Sequence, residues 1–472
     1  MNDSHAYFER HPEYFWKNGE QIYENVGGYA RIATILRQCR EARSGTVLAL
    51  DNGDTIHGTF PAVHSEGETL IPILNAMEFD AMTGHWEFAY GPEQFLKVAN
   101  TLSYPTLAVN CYDSKTGKRV FPAYQIIERN DMQIGVIGIA ATIIDKTMPT
   151  SFSKGVYFTL GNEELPGIIR ELRDIEQVDL IVVVSHLGYP QELQLAQEVD
   201  GIDVLLSGHT HNRLYDAVVV NDTIIIQSGC HGSFIGRLDL EIANRRVKSY
   251  QHDLITVDDS IEPDPEVNAL VDKALDPHRD MLDTVVGHTQ DALARDRVME
   301  TTMDNLLLHA LISVSDDAEL AFSNGWRYGA PVPLGPVTMN DVWNIVPVNP
   351  AVSTCDLSGI ELWNMLEENL ERTFSRDPYQ QMGGYVKRCL GMNMYFKVEN
   401  PKNRRINELF VGSTRVERSK KYKAVFITSQ GVPVKYGDHR KDLNIRAVEA
   451  LSTYLRENSP VSSKLEGNVV PI

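Results

Sequence analysis

Cysteine is scarce in this chain. Five occur in 472 residues, at Cys39, Cys111, Cys230, Cys355 and Cys389, with no CxxC pair and an odd count. A disulfide framework needs paired, regularly spaced cysteines, so none is expected, and these side chains read as small buried apolar groups. No apolar run reaches the roughly 18 residues of a membrane span. The strongest, 180–184, gives way at once to Ser185-His186. Positive charge is also short: 44 Lys plus Arg stand against 64 Asp plus Glu, a formal net charge of −20. Phosphate backbones are held by basic patches, so nucleic acid is not an expected partner, whereas one small anion held by local cations or metals is. Internal repeats and low-complexity tracts are lacking too. The first residues, Met1-Asn2-Asp3-Ser4-His5, show neither the basic n-region nor the apolar h-region of a signal peptide. The location expected from that start is cytoplasmic, or periplasmic or secreted if a leader has been removed.

What is present reads as a globular α/β protein. The hydrophobic fraction is 43% and the charged fraction 23%, and a chain of this length predicts two to four domains at roughly 100–200 residues each. Short runs rich in Val, Ile and Leu fall at 46–50, 106–109, 134–139, 180–184, 204–206 and 223–226. They are strand-length and mostly do not alternate, as in a sheet covered on both faces. Helical patterns at 28–43 and 92–100 lie between them, which is the logic of helices packed on a sheet. The Asp-, Glu- and Pro-rich stretch 258–283 reads as a linker followed by a bridging helix. Beyond it, helical patterns (303–313, 359–371) and strand-like ones (394–398, 422–427) predict a second, α+β domain. The domains expected are therefore 1–257 and 284–472.

Polar clusters follow several predicted strands: Asp51-Asn52-Gly53-Asp54, Asn110, Ser185-His186 and Gly208-His209-Thr210-His211. Sites in open α/β sheets form at the carboxyl ends of strands, so clusters far apart in sequence can converge there. The residue types suit two divalent cations roughly 3.5–4 Å apart, with a carboxylate bridging and imidazoles in terminal positions. Asp3, His5, Asp54, His85, His186, His209 and His211 supply the donors, and glycines beside Asp54, His85 and His209 permit tight turns. Singly these motifs carry little weight, since G-D is a common turn and H-T-H is often two surface histidines. Their order, D-x-H, GD, GH, SHxG and GHTH, is the informative feature. His11, His57, His64, His252, His278, His288, His309 and His439 read as structural or surface groups, and so, on balance, does His231.

That order resembles the metallophosphoesterase domain of the 5′-nucleotidase family, and Val26-Gly27-Gly28-Tyr29-Ala30-Arg31-Ile32 is similar to the family's VGGxARI segment. In the second half, Arg297-Val298-Met299-Glu300-Thr301, Asn324-Gly325-Trp326-Arg327, 341–347 and Gly383-Gly384-Tyr385 resemble the family's C-terminal substrate domain. The resemblance implies a four-layer αββα sandwich followed by a smaller α+β domain. It implies two ions, Mn2+ or Zn2+: one held by Asp3, His5 and His211, the other by His186, His209 and His85, with Asp54 bridging. A hydroxide activated by these metals would attack a phosphate ester, a nucleotide among the substrates implied. Arg327 and Arg297, with Asn110, are the implied substrate-binding residues.

Two departures qualify the picture. The family's G-N-H-E-F-D-Y-G reads here Gly84-His85-Trp86-Glu87-Phe88-Ala89-Tyr90-Gly91, so Trp86 and Ala89 replace the catalytic histidine and its aspartate partner. An indole N–H donates a hydrogen bond but cannot carry a proton back and forth. The G-H-W-E-F variant, with Gly325-Trp326-Arg327-Tyr328-Gly329, is similar to bacterial thiosulfohydrolases, which release sulfate from a cysteine S-thiosulfonate on a carrier protein. That activity and a catalytically silent metal-binding relative are the two alternative expectations. The second departure is at the start: few residues precede Asp3, which predicts weak anchoring of Asp3 and His5.

Overall fold

A computed structural model describes residues 1–472. The chain divides into two compact units, Met1–Phe15 with Glu24–Pro277, and Trp16–Tyr23 with His278–Ile472.

The first unit is built on a six-stranded sheet. Its order is Val218–Val220, Thr223–Ile226, Val204–Leu206, Leu180–Ser185, Met132–Ile139, Tyr124–Arg129. The central pairs are parallel, with Val204 opposite Val182 and Ile134 opposite Leu180, and the two edge pairs are antiparallel. The strands do not alternate because both faces are covered. On one face Ile181, Val183, Leu205 and Ile225 pack with Leu165, Ile168 and Leu195 of the helices Leu165–Arg170 and Tyr189–Glu198. On the other, Val136, Leu180, Val182 and Val184 meet Leu50, Ala81, Leu107 and the hairpin residues Leu238 and Leu240. That second β layer comprises Leu50–Asp51 paired with Ala81–Met82 and the hairpin of Phe234–Ala243 with Arg246–Thr256. The helices Tyr29–Ala42, Ile71–Met77 and Pro265–Leu275 pack on one another as the remaining layer.

Three local expectations change. The apolar run at 106–109 forms no strand, because its amides go to three different partners: Leu107 N–H to Met82 O, Ala108 to Pro122 O and Val109 to Gly138 O. No ladder builds from such a crossing. It also requires glycine at 138, where a Cβ would lie 2.1 Å from Leu107 O. The run at 46–50 contributes only its end, Leu50–Asp51. Most of the stretch expected as a linker with a bridging helix, through Pro277, belongs to the first unit. Val267, Val271 and Leu275 of Pro265–Leu275 are buried, and that helix packs on Tyr29–Ala42 and Ile71–Met77.

The second unit has a five-stranded sheet in the order Arg388–Leu390, Leu320–Ser323, Lys421–Ile427, Ala351–Ser358, Asp438–Arg446. A four-stranded sheet adds Thr414–Arg415, Ile406–Val411, Met392–Phe396 and Val469–Pro471. The helix Gly359–Phe374 opens with a capping box, Ser358 with Glu361, which satisfies amides that the first turn leaves unpaired. Its Leu362, Met365, Leu366 and Leu370 fill a core with Phe322, Leu357, Phe396 and Tyr422. No helix of the protein is long and apolar enough to cross a membrane.

Candidate metal centre

All seven expected donors meet in the first unit, at the carboxyl ends of the parallel strands. Asp54, His85, His186 and His209 bring one ligand atom each within 4.8 Å of one another, and so do Asp3, His5, Asp54 and His211. Asp54 belongs to both sets. Its carboxylate lies 3.0 Å from His85 Nδ1, 3.1 Å from His186 Nε2 and 3.7 Å from His5 Nε2. His211 Nε2 is 3.2 Å from both His5 Nε2 and Asp3 Oδ1.

The chemistry of this donor set fits cations. His5 Nδ1 is bonded to His57 O and His186 Nδ1 to Asn52 O. A carbonyl only accepts, so in each ring Nδ1 carries a hydrogen and Nε2 is the nitrogen that faces the cluster, the orientation of metal-bound histidines. His85 Nε2 is buried and makes no hydrogen bond. Charge points the same way. Burial would lower His186, yet Asp54 and Asp3 override it and lift the ring to about 10. Burial would raise Asp54, and His85 and His186 hold it well below the usual carboxylate range. Buried anions so placed call for positive charge among them.

Five of the candidate donors are mounted on unusual backbone. Asp3, His5, Asp54, His209 and His211 have φ of 51, 48, 54, 70 and 59°. This left-handed region is uncommon for residues with a Cβ, Asp and His being among those that tolerate it better, and such conformations persist only where surrounding structure enforces them. Gly58 permits part of the enforcement, since a Cβ there would lie 2.2 Å from His5 O. The weak anchoring expected for Asp3 and His5 is not found. Both are fully buried, and residues 1–5 run along 50–54 through Met1 N to Leu50 O, Asn52 N to Met1 O, Asp3 N to Gly53 O and His5 N to Asp54 O.

Several residues that the sequence reading passed over complete the site. The Glu87 carboxylate accepts from the N–H groups of His85, Asp54, Thr55 and Ile56, so one side chain sets two ligand loops. Glu192 joins two others: it accepts from Ser207 Oγ, just before Gly208-His209, and from the amides of Leu187 and Gly188, just after His186. Burial pushes the Glu192 carboxyl up to about 7. Asn2 donates to Asp3 Oδ2 and Gly229 O. In the sequence, Glu87 was visible only as the acid of G-H-W-E-F, and Glu192 carried no signal.

Trp86 adjoins the donors, its backbone N–H donating to Asp54 Oδ1 at 2.7 Å. Its indole stacks on the His57 ring, with centroids 4.8 Å apart. Burial drives His57 down to about 3, so that imidazole is neutral. His57, His11 and His231, read as structural or surface groups, are all buried beside the cluster. Asn110, expected to touch substrate, is spent on the fold. Its Nδ2 donates to Ala140 O and Thr159 O, and its Oδ1 accepts from Ala140 N. Arg327 and Arg297 lie in the second unit. Arg327 is half-buried beside Gly384, where a Cβ would meet its Nη2 at 2.6 Å, and Arg297 is exposed, 3.6 Å from Asp296. Near Arg327, Asn324 Nδ2 donates to Gln430 Oε1.

Residues 285–429 match the family model of the 5′-nucleotidase C-terminal domain. The chain is 24% identical over 499 residues to the trifunctional nucleotide phosphoesterase protein YfkN of Bacillus subtilis, a match covering 93% of this chain and 34% of that protein. It therefore spans about a third of that relative's length. Among solved structures, the Thermus thermophilus sulfate thiohydrolase SoxB superposes with a TM-score of 0.89 at 26% identity, covering 95% of this chain and 83% of that one. A 5′-nucleotidase precursor, also from Thermus thermophilus, gives a TM-score of 0.88 at 22% identity, covering 100% and 98%. The chain thus has the two-domain 5′-nucleotidase fold, an N-terminal α/β domain followed by a 5′-nucleotidase C-terminal domain.

Proposed function

We propose that the protein is a dinuclear-metal hydrolase of phosphate esters, nucleotides among them. The observation that carries this reading is the pair of largely buried donor sets sharing Asp54. Asp3, His5 and His211 would hold one ion, His85, His186 and His209 the other, and Asp54 would span both. Two divalent ions so held supply a lowered water pKa at neutral pH and positive charge against the oxygens of the transferred group. The chain's own part is to fix the donors through Glu87 and Glu192. Manganese and zinc both accept mixed imidazole and carboxylate donors. The test is phosphate release from AMP by manganese-loaded protein, with bound metal counted on the same sample. Release that disappears in Asp54→Ala is the expected result. Undiminished release in that variant overturns the mechanism.

Trp86 favours a second reading, hydrolysis of a cysteine S-thiosulfonate. No ionisable group stands at that position or at Ala89 to protonate a poor alkoxide leaving group, whereas a sulfur leaving group needs less help. The likeness to the sulfate thiohydrolase agrees with it. Sulfate release from a peptide bearing S-thiosulfonated cysteine, without phosphate release from AMP, would select this chemistry. Protein holding two ions yet inert on both substrates would support a silent metal-binding role.

A further inference from the structure

Beside the seven donors, three more metal-competent side chains converge. His11 and Glu13 belong to the strand His11–Lys17, two residues apart and so on one face of it. His231 lies in the turn after Thr223–Ile226. All three are buried, and one ligand atom from each lies within 4.8 Å of the others. His231 Nδ1 is 3.0 Å from Glu13 Oε2. Ser233 Oγ is 3.1 Å from His11 Nε2 and 3.3 Å from the same Glu13 oxygen.

The surroundings prepare these atoms for a cation. His11 Nδ1 is bonded to Glu9 O at 3.1 Å, so that nitrogen carries the hydrogen and Nε2 turns its lone pair into the cluster. Glu13 Oε1 is held 2.9 Å from Arg213 Nη2, which fixes the carboxylate and leaves Oε2 as its one inward ligand atom. Cys230 Sγ is 3.4 Å from His231 Nδ1, within reach as a softer donor. Two imidazoles and a carboxylate, with sulfur nearby, suit zinc better than magnesium or calcium.

We propose that His11, Glu13 and His231 form a third metal site, for zinc, adjoining the donor sets that share Asp54. The junction is direct: His231 N–H donates to Asp3 O at 2.7 Å, and the His231 and His211 ring centroids are 6.2 Å apart. An ion there pins the strand His11–Lys17 to the loop that supports Asp3. Its role is to position that ligand.

The experiment is a zinc count on the full chain, stripped with a chelator and dialysed to saturation against Zn2+ alone. Wild type, His11→Gln, Glu13→Gln, Asp54→Asn and the Asp54→Asn/His11→Gln double variant are compared. The expected result is that His11→Gln and the near-isosteric Glu13→Gln each lose one zinc relative to wild type. Asp54→Asn should keep a zinc that the double variant loses. Equal counts in wild type, His11→Gln and Glu13→Gln overturn the proposal. A wild-type count of one, abolished by His11→Gln and kept by Asp54→Asn, upholds this site while removing the two-ion reading.

Discussion

Glu87 touches no substrate in the reading above, yet four amides from two ligand loops converge on its carboxylate. Glu87→Gln keeps the shape and turns one acceptor into a donor facing N–H groups. We expect a folded protein whose metal affinity falls about 10–100-fold, the usual cost of losing a group that orients ligands, measured by competition with a metal-binding dye. An unchanged affinity would show that the loops hold themselves. Lys387 gives a prediction in pH. Burial, with Arg372 adding repulsion, lowers its amine from 10.5 to about 8. Between those values the unfolded chain holds a proton that the folded chain has released, so stability rises with pH across about pH 8–10.5. Below that window the buried cation costs the fold about 3 kcal/mol. Lys387→Met should therefore be more stable than wild type near pH 7 in urea unfolding, with the advantage vanishing near pH 10. The convergence of the candidate donors was legible because His and Asp beside glycine, directly after apolar runs, rarely serve packing alone. Asn110 shows the ambiguity of that signal, because a polar residue after such a run looks the same in sequence whether it binds a ligand or ties neighbouring backbone together, and here its side chain bonds Ala140 and Thr159.

At the scale of elements, the helix Pro265–Leu275 shows what sequence patterning conveys and what it omits. Its periodicity was readable, but its partners were not. The Asp- and Pro-rich lead-in looked like a tether, yet Asp264 is an N-cap that accepts from the N–H groups of Glu266 and Val267 and pairs with Arg37. Capping needs short polar side chains and tolerates proline at the first helical positions, so a helix start and a linker share a composition. Asp264→Ala should cost about 1 kcal/mol of stability, read as a lower urea midpoint with unchanged slope. No loss would mean that water replaces the cap. The fully covered strands were legible as continuous Val, Ile and Leu runs. The hairpins His11–Lys17/Glu20–Val26 and Phe234–Ala243/Arg246–Thr256 were missed, since their half-exposed, polar-rich sequences carry no such run.

At the scale of the molecule, each unit carries its own apolar core, and every donor proposed for a metal lies in the unit formed by Met1–Phe15 and Glu24–Pro277. Ligands stabilise only what binds them, by about 2.7 kcal/mol when free ligand stands 100-fold above its dissociation constant. Calorimetry should show two transitions, of which chelator lowers one and spares the other. A single transition that moves as a block would mean that the units unfold together. The left-handed backbone at Asp3, His5, Asp54, His209 and His211 carries a practical warning. Glycine adopts that conformation at little cost. A directed-evolution screen rewarding thermal tolerance of metal-free protein would thus drift toward glycine at these five positions. It would improve its score while erasing the donors, so libraries of this protein should hold them fixed.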